Sequence, residues 1–209
     1  MPSEVHAWVR DELERIAPYD ARERADLARA MAWVASGAEL CRVRKPDVPP
    51  MHLVSYCVVA TATALLLVDH VNAQLWLPPG GHVDPGEHPR DAARREAMEE
   101  LGLEATFLAD GPVFLTVTET VGRTAGHTDV SLWYLLAGDP SRALSIDRSE
   151  FLEARWFRPQ AMPFERCDPE LQRFVAKLTD RSTGLFRTTD AAVRPGGRRS
   201  ARTGSAPAP

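Results

Sequence analysis

The chain has 209 residues, of which 44% are hydrophobic and 26% charged, a balance normal for a soluble globular protein. The length suggests one domain with extensions, or two small domains. The longest apolar run, 58–68, is interrupted by threonines and is too short to cross a bilayer, so we expect no interaction with a membrane.

The formal net charge of −4 hides an asymmetry along the chain. Residues 181–209 carry six arginines and one aspartate, a charge of +5, which leaves −9 on the residues before them. The segment 181–209 lacks an apolar stripe and is predicted to be a disordered, solvated basic tail, so nucleic acid is not expected as a partner. An acidic body that handles phosphates would need a metal ion to offset the repulsion.

The three cysteines, Cys41, Cys57 and Cys167, are far apart and show no zinc-type spacing. They indicate reduced, structural thiols. The first eleven residues include charged side chains, which argues against a signal peptide. We therefore expect a cytoplasmic protein.

Two amphipathic helices are predicted first, over about 3–17 and 21–36, and they define an N-terminal helical extension, 1–47. Such helices cannot stand alone, so they pack on the main domain or on a partner chain. A homodimer and a role in substrate specificity are alternatives to simple packing. The proline-rich segment 45–50 follows as a stiff linker.

The main domain, 48–180, alternates strands and helices. Pro89 fits the first position of a helix that runs to about 101, with Gly102 as its C-cap, and a last helix covers 169–179. This order indicates an α/β fold with a mixed sheet between helices. The predicted strands cover 52–60, 63–69, 74–77, 106–108, 113–120, 130–136 and 155–157.

Three glutamates in the central helix, Glu96, Glu99 and Glu100, have the spacing i, i+3, i+4, which places them on one helical face. Like charges at this spacing destabilise a helix by roughly a few tenths of a kcal/mol per pair. A cluster with such a cost favours a bound cation. The glycine-rich segment 78–81 precedes the helix, and carboxylates facing a glycine loop are typical of a divalent metal with a phosphate ligand.

The segment Gly81–Leu103 resembles the Nudix box, G-x5-E-x7-R-E-U-x-E-E-x-G-U, where U is a bulky aliphatic residue. Ala97 is small for the first U, and Leu103 fills the last. A weaker resemblance extends over 50–178. The fixed positions are filled by Gly81, Glu87, Arg95, Glu96, Glu99, Glu100 and Gly102.

The resemblance implies a Nudix-type mixed β-sheet sandwiched between helices. It also implies hydrolysis of the diphosphate linkage between a nucleoside diphosphate and another moiety, with Mg²⁺, or alternatively Mn²⁺, as cofactor. The substrate would be a nucleotide-type small molecule, such as a nucleoside triphosphate or an ADP-ribose-like compound. The implied metal ligands are Glu96, Glu99, Glu100 and a backbone carbonyl of Gly80 or Gly81.

A general base must deprotonate the attacking water. Glu96 is the candidate inside the box, and Glu150 is a second candidate, because some family members place an acidic residue in a later loop. Arg95 is expected to orient the carboxylates of Glu96 and Glu99. The candidate catalytic residues are therefore Glu96, Glu99, Arg95 and Glu150.

Two histidines near these segments are ambiguous. His82 could reach a phosphate and His127 could contact substrate, but a loop-packing residue and a turn residue are the simpler interpretations. The competing function is a non-catalytic Nudix-fold module that binds nucleotides or regulates. Such modules typically lose the metal glutamates, whereas this chain retains them, so the sequence favours an enzyme.

Overall fold

A computed structural model describes residues 4–120 and 126–183. The helices within these ranges are α1 (Glu4–Glu14), α2 (Ala21–Ala35), α3 (Pro89–Leu101) and α4 (Leu171–Thr179). The strands are β1 (Met51–Ala60), β2 (Leu65–His70), β3 (Trp76–Leu77), β4 (Gly80–His82), β5 (Phe114–Glu119), β6 (Thr128–Ala137) and β7 (Phe151–Phe157). The predicted tail lies largely outside the described residues.

The strands form one mixed sheet in the order β3-β2-β1-β6-β5, with β4 paired to β1 and β7 paired to β2. β1 and β6 run parallel, from the pair Met51–Thr128 to the pair Ala60–Ala137, and the other pairs are antiparallel. Parallel neighbours need a long crossover connection. Here that connection carries α3, which lies over β1 as a result.

The sheet separates two apolar clusters because side chains alternate along each strand. In β1, Leu53 and Cys57 pack in the cluster that includes residues of α1, α2 and α3. Val58 and Ala60 project the other way, into the cluster that includes α4. The predicted α/β fold, a mixed sheet sandwiched between helices, is confirmed.

The N-terminal helices pack on the same face of the sheet as α3. Their buried apolar residues continue one cluster with the strands, and they are Val9, Leu13, Ala30 and Val34. Polar contacts add to this packing: Glu12 accepts a 2.9 Å hydrogen bond from the buried hydroxyl of Tyr134. The two-helix extension predicted from the sequence is present in the fold.

The predicted strand at 106–108 is not a strand in the structure. Residues 106–108 lie beside the end of β6, with two backbone hydrogen bonds and a one-residue bridge from Phe107 to Leu136, but this pairing is too short to form a strand, and β5 begins at Phe114. The last strand begins at Phe151 rather than at residue 155; its second and third residues, Leu152 and Glu153, are both exposed, so the sequence lacks the alternation that predicts a strand there, and the pairing with β2 defines it.

The glycine-rich segment is another difference. It was expected to be a loop, but Gly80–His82 forms the short strand β4 against β1.

No helix among the described residues is both long enough and apolar enough to cross a membrane.

Candidate active site

Helix α3 begins and ends at local signals. His88 is its N-cap, Pro89 occupies the first turn, and Gly102 ends it in the left-handed conformation with φ 65°. The hydroxyl of Ser55 in β1 donates a 2.8 Å hydrogen bond to the carbonyl of Pro89. The first turn of the helix is therefore fixed to the sheet, and the rotation of the helix about its axis is set.

This rotation buries two of the three clustered glutamates. Glu96 and Glu100 are only 9% and 5% exposed, whereas the side chain of Glu99 is 60% exposed. Glu96 and Glu100 are one helical turn apart and hence neighbours on the helix surface. Glu99 contacts Arg95, whose guanidinium donates a 3.2 Å hydrogen bond to it. The predicted trio is therefore a buried pair with an exposed third member.

The buried pair is electrostatically unfavourable without a cation. Burial and, to a lesser extent, the charge of Glu96 together raise the pKa of Glu100 to about 9. Burial also raises the pKa of Glu96, although the adjacent Arg95 lowers it. Arg95 is hydrogen-bonded to Glu96 but makes no contact with Glu100, so the charge of this buried pair is only partly compensated when both carboxylates are ionised. A divalent cation fits this donor set, because hard oxygen ligands are those that Mg²⁺ and similar ions prefer.

Strand β4 lies directly against the carboxylates. The amide of Gly80 donates a 2.8 Å hydrogen bond to Oε2 of Glu100. A Cβ atom at Gly81 would lie 2.5 Å from Oε1 of Glu96, closer than real contacts allow. Glycine at this position therefore leaves the space that the Glu96 carboxylate occupies.

The strand register indicates which glycine carbonyl faces the carboxylates. The amide of Val83 bonds to the carbonyl of Leu53 at 3.2 Å, and hydrogen-bonded pairs alternate along an antiparallel ladder. Gly81 lies two residues before Val83 and is therefore also at a hydrogen-bonded position, where its carbonyl points toward β1. Gly80 lies at a non-hydrogen-bonded position, and its amide bonds to Glu100 rather than to β1. The register therefore favours Gly80 over the predicted Gly81 as a source of a carbonyl ligand.

Arg95 organises the carboxylates from one side. It donates two 2.9 Å hydrogen bonds to Glu87, one of 2.7 Å to Glu96 and one of 3.0 Å to the carbonyl of His82. The fork geometry of arginine suits this multiple bonding. Glu87, which lies in the segment before α3, thereby ties that segment to the helix.

Glu150 lies on the same side of the molecule as the buried pair. The segment before β7 docks on the end of α3, because the amide of Asp147 donates a 3.1 Å hydrogen bond to the carbonyl of Glu100. Glu150 itself is exposed, and its charge contributes to the raised pKa of both Glu96 and Glu100. The tertiary structure thus brings an acidic residue 50 positions away toward the box carboxylates.

A second polar group, which we call the histidine cluster, consists of His52, His82, His127 and Asp129. One potential ligand atom from each lies within 4.8 Å of the others. In the sequence, His82 and His127 are separate candidates, and no motif singles out His52 or Asp129. Their proximity depends on the pairing of three strands, and the signal in the sequence was a histidine at one end of each strand: near the start of β1 and β6 and at the end of β4.

A cavity of about 670 Å³ lies away from both groups. It is lined by residues 15–19 and 109–113 and by residues at the end of α4 and just beyond it. No glutamate of the box and no member of the histidine cluster lines it, so it offers no chemistry to the candidate site.

Comparison with known proteins agrees with the sequence motif. A sequence model of the NUDIX domain matches residues 51–178. An RNA pyrophosphohydrolase of Cereibacter sphaeroides is 34% identical over 109 residues, which cover 44% of this chain and 67% of that protein. An asymmetrical bis(5'-nucleosyl)-tetraphosphatase of Mus musculus is 44% identical over 57 residues, which cover 27% of this chain and 39% of that protein.

Solved structures show the same fold. A MutT protein from Methanosarcina mazei Go1 superposes with a TM-score of 0.51 at 17% identity, covering 64% of this chain and 95% of its own. At this level of identity the likeness concerns the fold alone.

Proposed function

Because the chain belongs to the Nudix family of hydrolases, we propose that it is a Mg²⁺-dependent enzyme that cleaves a diphosphate linkage between a nucleoside diphosphate and another moiety. The observation that carries this proposal is the buried pair Glu96 and Glu100 against the glycines of β4. Such a pair is costly in isolation and is compensated by a divalent cation.

The residues that would hold the ion are Glu96 and Glu100, with the carbonyl of Gly80 as a further oxygen ligand. Glu99, exposed and bonded to Arg95, would contribute from the solvent side. When bound, Mg²⁺ neutralises phosphate oxygens and lowers the pKa of a coordinated water. Mn²⁺ has similar ligand preferences and is expected to substitute.

Arg95 acts as a positioning residue. Its bonds to Glu87 and Glu96 fix the orientation of the Glu96 carboxylate relative to β4. Groups that orient metal ligands typically contribute roughly 10–100-fold to metal affinity or activity.

Glu150 is the proposed general base, with Glu96 as the alternative inside the box. Glu150 is exposed and free to approach a water on the solvent side, whereas Glu96 is buried and bonded to Arg95. A base must reach the attacking water within hydrogen-bond distance, and an exposed carboxylate beside the ligand pair meets this need.

The substrate is proposed only as a class. The resemblance to the Nudix box suggests nucleoside triphosphates and ADP-ribose-like compounds as substrates. The names of the two relatives suggest RNA and dinucleoside polyphosphates as further candidates. RNA departs from the expectation that nucleic acid is no partner, so it belongs in any screen.

The test is a phosphate-release screen on the full-length protein with Mg²⁺. The substrates are nucleoside triphosphates, ADP-ribose, a dinucleoside tetraphosphate and an RNA that ends in a triphosphate, with auxiliary phosphatases releasing phosphate from the products. Glu100→Gln is compared with Glu104→Gln, a matched control on an exposed glutamate just beyond α3.

We expect turnover of at least one substrate that stops with chelator, a kcat lower by orders of magnitude in Glu100→Gln, and an unchanged kcat in Glu104→Gln. Equal activity in wild type and Glu100→Gln would contradict the metal role. No turnover of any substrate would leave the non-catalytic binding module as the better account.

A further inference from the structure

The histidine cluster lies on the face of the sheet opposite to α3. Ser55 faces α3, so His52, three positions earlier in the same strand, projects to the other face. His52 pairs with Asp129 in β6, directly across the parallel ladder. Gly81 faces Glu96, so the next residue, His82, likewise points to the opposite face. The cluster is therefore separate from the box carboxylates, with β4 between the two.

The tautomers of two histidines are fixed by their outer nitrogens. Nδ1 of His52 is 2.8 Å from the carbonyl of Pro49, which can only accept a hydrogen bond, so Nδ1 carries the proton and Nε2 bears a lone pair. Nδ1 of His127 is 3.2 Å from the hydroxyl of Thr120, which can donate its own proton to the carbonyl of His127, and 3.3 Å from a carboxylate oxygen of Asp47; both contacts favour a proton on Nδ1. This arrangement, with the outer N–H held by a carbonyl or a carboxylate, is typical of histidines that ligate a metal.

The distances between the inner atoms match the edges of a small coordination shell. Nε2 of His52 is 3.1 Å from Nε2 of His82 and 3.5 Å from Oδ1 of Asp129. Nε2 of His127 is 3.2 Å from the same Oδ1. Ligand atoms around a tetrahedral zinc, at about 2.0–2.1 Å from the ion, are about 3.4 Å apart. Four ligand atoms form six pairs. Three of these pair distances are already near 3.4 Å, and the four residues each offer a ligand atom within 4.8 Å of the others.

The carboxylate of Asp129 provides a second, independent observation that favours a cation at this place. Its Oδ1 is buried and has no hydrogen-bond partner among the described residues, although two imidazole nitrogens lie nearby. A buried carboxylate oxygen without a partner is costly, and such groups are normally satisfied. A cation placed among the four side chains would satisfy this oxygen and the nitrogen lone pairs together.

We propose that His52, His82 and His127, through Nε2, and Asp129, through Oδ1, form a second metal site that binds one zinc-type divalent cation. Three imidazoles exclude Mg²⁺, which prefers oxygen ligands, and suit zinc and its chemical neighbours. Four protein ligands close the coordination shell, so the site is structural rather than catalytic. It ties β1, β4 and β6 together behind the glycines that contact Glu96 and Glu100.

The test uses the full-length protein stripped of metal by a chelator and then titrated with Co²⁺, a spectroscopic substitute for zinc. A tetrahedral, nitrogen-rich site gives intense visible absorption, whereas Co²⁺ on carboxylates and water gives weak octahedral bands. We expect one equivalent to produce the intense spectrum, and Zn²⁺ but not Mg²⁺ to abolish it.

Single substitutions show which side chains bind the Co²⁺ ion. His82→Gln and Asp129→Asn should lower the Co²⁺ affinity by on the order of tenfold or more, since even outer partners of ligands contribute that much. Glu100→Gln should keep the spectrum, and so should His70→Gln, a matched control on a histidine of β2 outside the cluster.

Two outcomes would overturn the proposal. A wild-type spectrum that stays weak would mean that the imidazoles are merely hydrogen-bonded to one another, and this result needs no variant to fold. An intense spectrum that both His82→Gln and Asp129→Asn leave unchanged in strength and affinity would assign the ion to another group of side chains.

Discussion

The amide of Gly80 donates a 2.8 Å hydrogen bond to Oε2 of Glu100, which joins strand β4 to helix α3 at the carboxylate itself. The amide thereby holds one oxygen of Glu100 in place, and the carboxylate keeps a second oxygen for a ligand. Since β4 also carries His82, whose side chain lies in the histidine cluster, a three-residue strand connects the two candidate metal sites.

Gly81→Ala should reduce activity through a steric effect alone. The added Cβ would lie 2.5 Å from Oε1 of Glu96, so this carboxylate must move from its place beside Glu100. We expect a weaker Mg²⁺ affinity, measured by calorimetry, and a lower kcat. In the background of Glu96→Ala, where the clash is absent, the same substitution should have little effect on the melting temperature. A large destabilisation in both backgrounds would show that the contact with Glu96 is not the cause.

Glu150→Gln should lower kcat by roughly 10²-fold or more if Glu150 is the general base. Glu153→Gln is the matched control, because Glu153 is also exposed, lies in β7 and pairs with Arg155. We expect the control to retain wild-type kcat and both variants to melt like the wild type. If Glu150→Gln keeps full activity, the base is Glu96 or another group.

Glu23→Gln should destabilise the protein, because Glu23 is fully buried and accepts a 2.7 Å hydrogen bond from Nζ of Lys177. Removing one partner of a buried ion pair typically costs about 3–5 kcal/mol, measurable by chemical denaturation. The double variant Glu23→Leu/Lys177→Met should recover part of this loss. Asp91→Asn, which removes an exposed pair with Arg94, should cost no more than about 1 kcal/mol. Equal losses for the buried and the exposed pair would contradict this account.

Asp168 should make stability fall as the pH rises through the mildly acidic range. Burial raises the pKa of Asp168 from 3.8 to about 6, so between these values the folded protein holds a proton that the unfolded chain has lost. The folded state binds more protons, and its stability therefore decreases with rising pH. The difference corresponds to roughly 3 kcal/mol at 1.36 kcal/mol per pKa unit.

The measurement is the unfolding free energy of wild type and Asp168→Asn from pH 4 to pH 7.5. Asparagine stays neutral; its carbonyl can accept from the amide of Glu170, and its NH₂ group can donate to the hydroxyl oxygen of Tyr56, in place of the bond that this hydroxyl donates to Asp168. We expect the difference between the two proteins to favour the variant increasingly from pH 4 to about 6 and then to level off. A difference that does not change with pH would contradict the raised pKa.

Local signals were enough to place helix α3. Pro89 and Gly102 act within one turn of the chain, and the helix runs over the residues that they predicted. The sequence predicts a loop at Gly80–His82, because glycine has no preference for strands. This segment forms β4 only because β1 lies beside it and pairs with it. The family resemblance predicts a role for Glu150. Only the tertiary structure shows that its loop docks on α3, close enough for the charge of Glu150 to raise the pKa of Glu100.

The sequence by itself determined the family, the α/β fold and the spacing of Glu96, Glu99 and Glu100, because motif, hydrophobic period and helix caps are local properties of the chain. The tertiary structure decided which of the three are buried, since that depends on how β4 and β1 lie against α3. It also assembled the histidine cluster from residues 52, 82, 127 and 129. Those positions meet only through the register of strands distant in sequence, which no local pattern specifies.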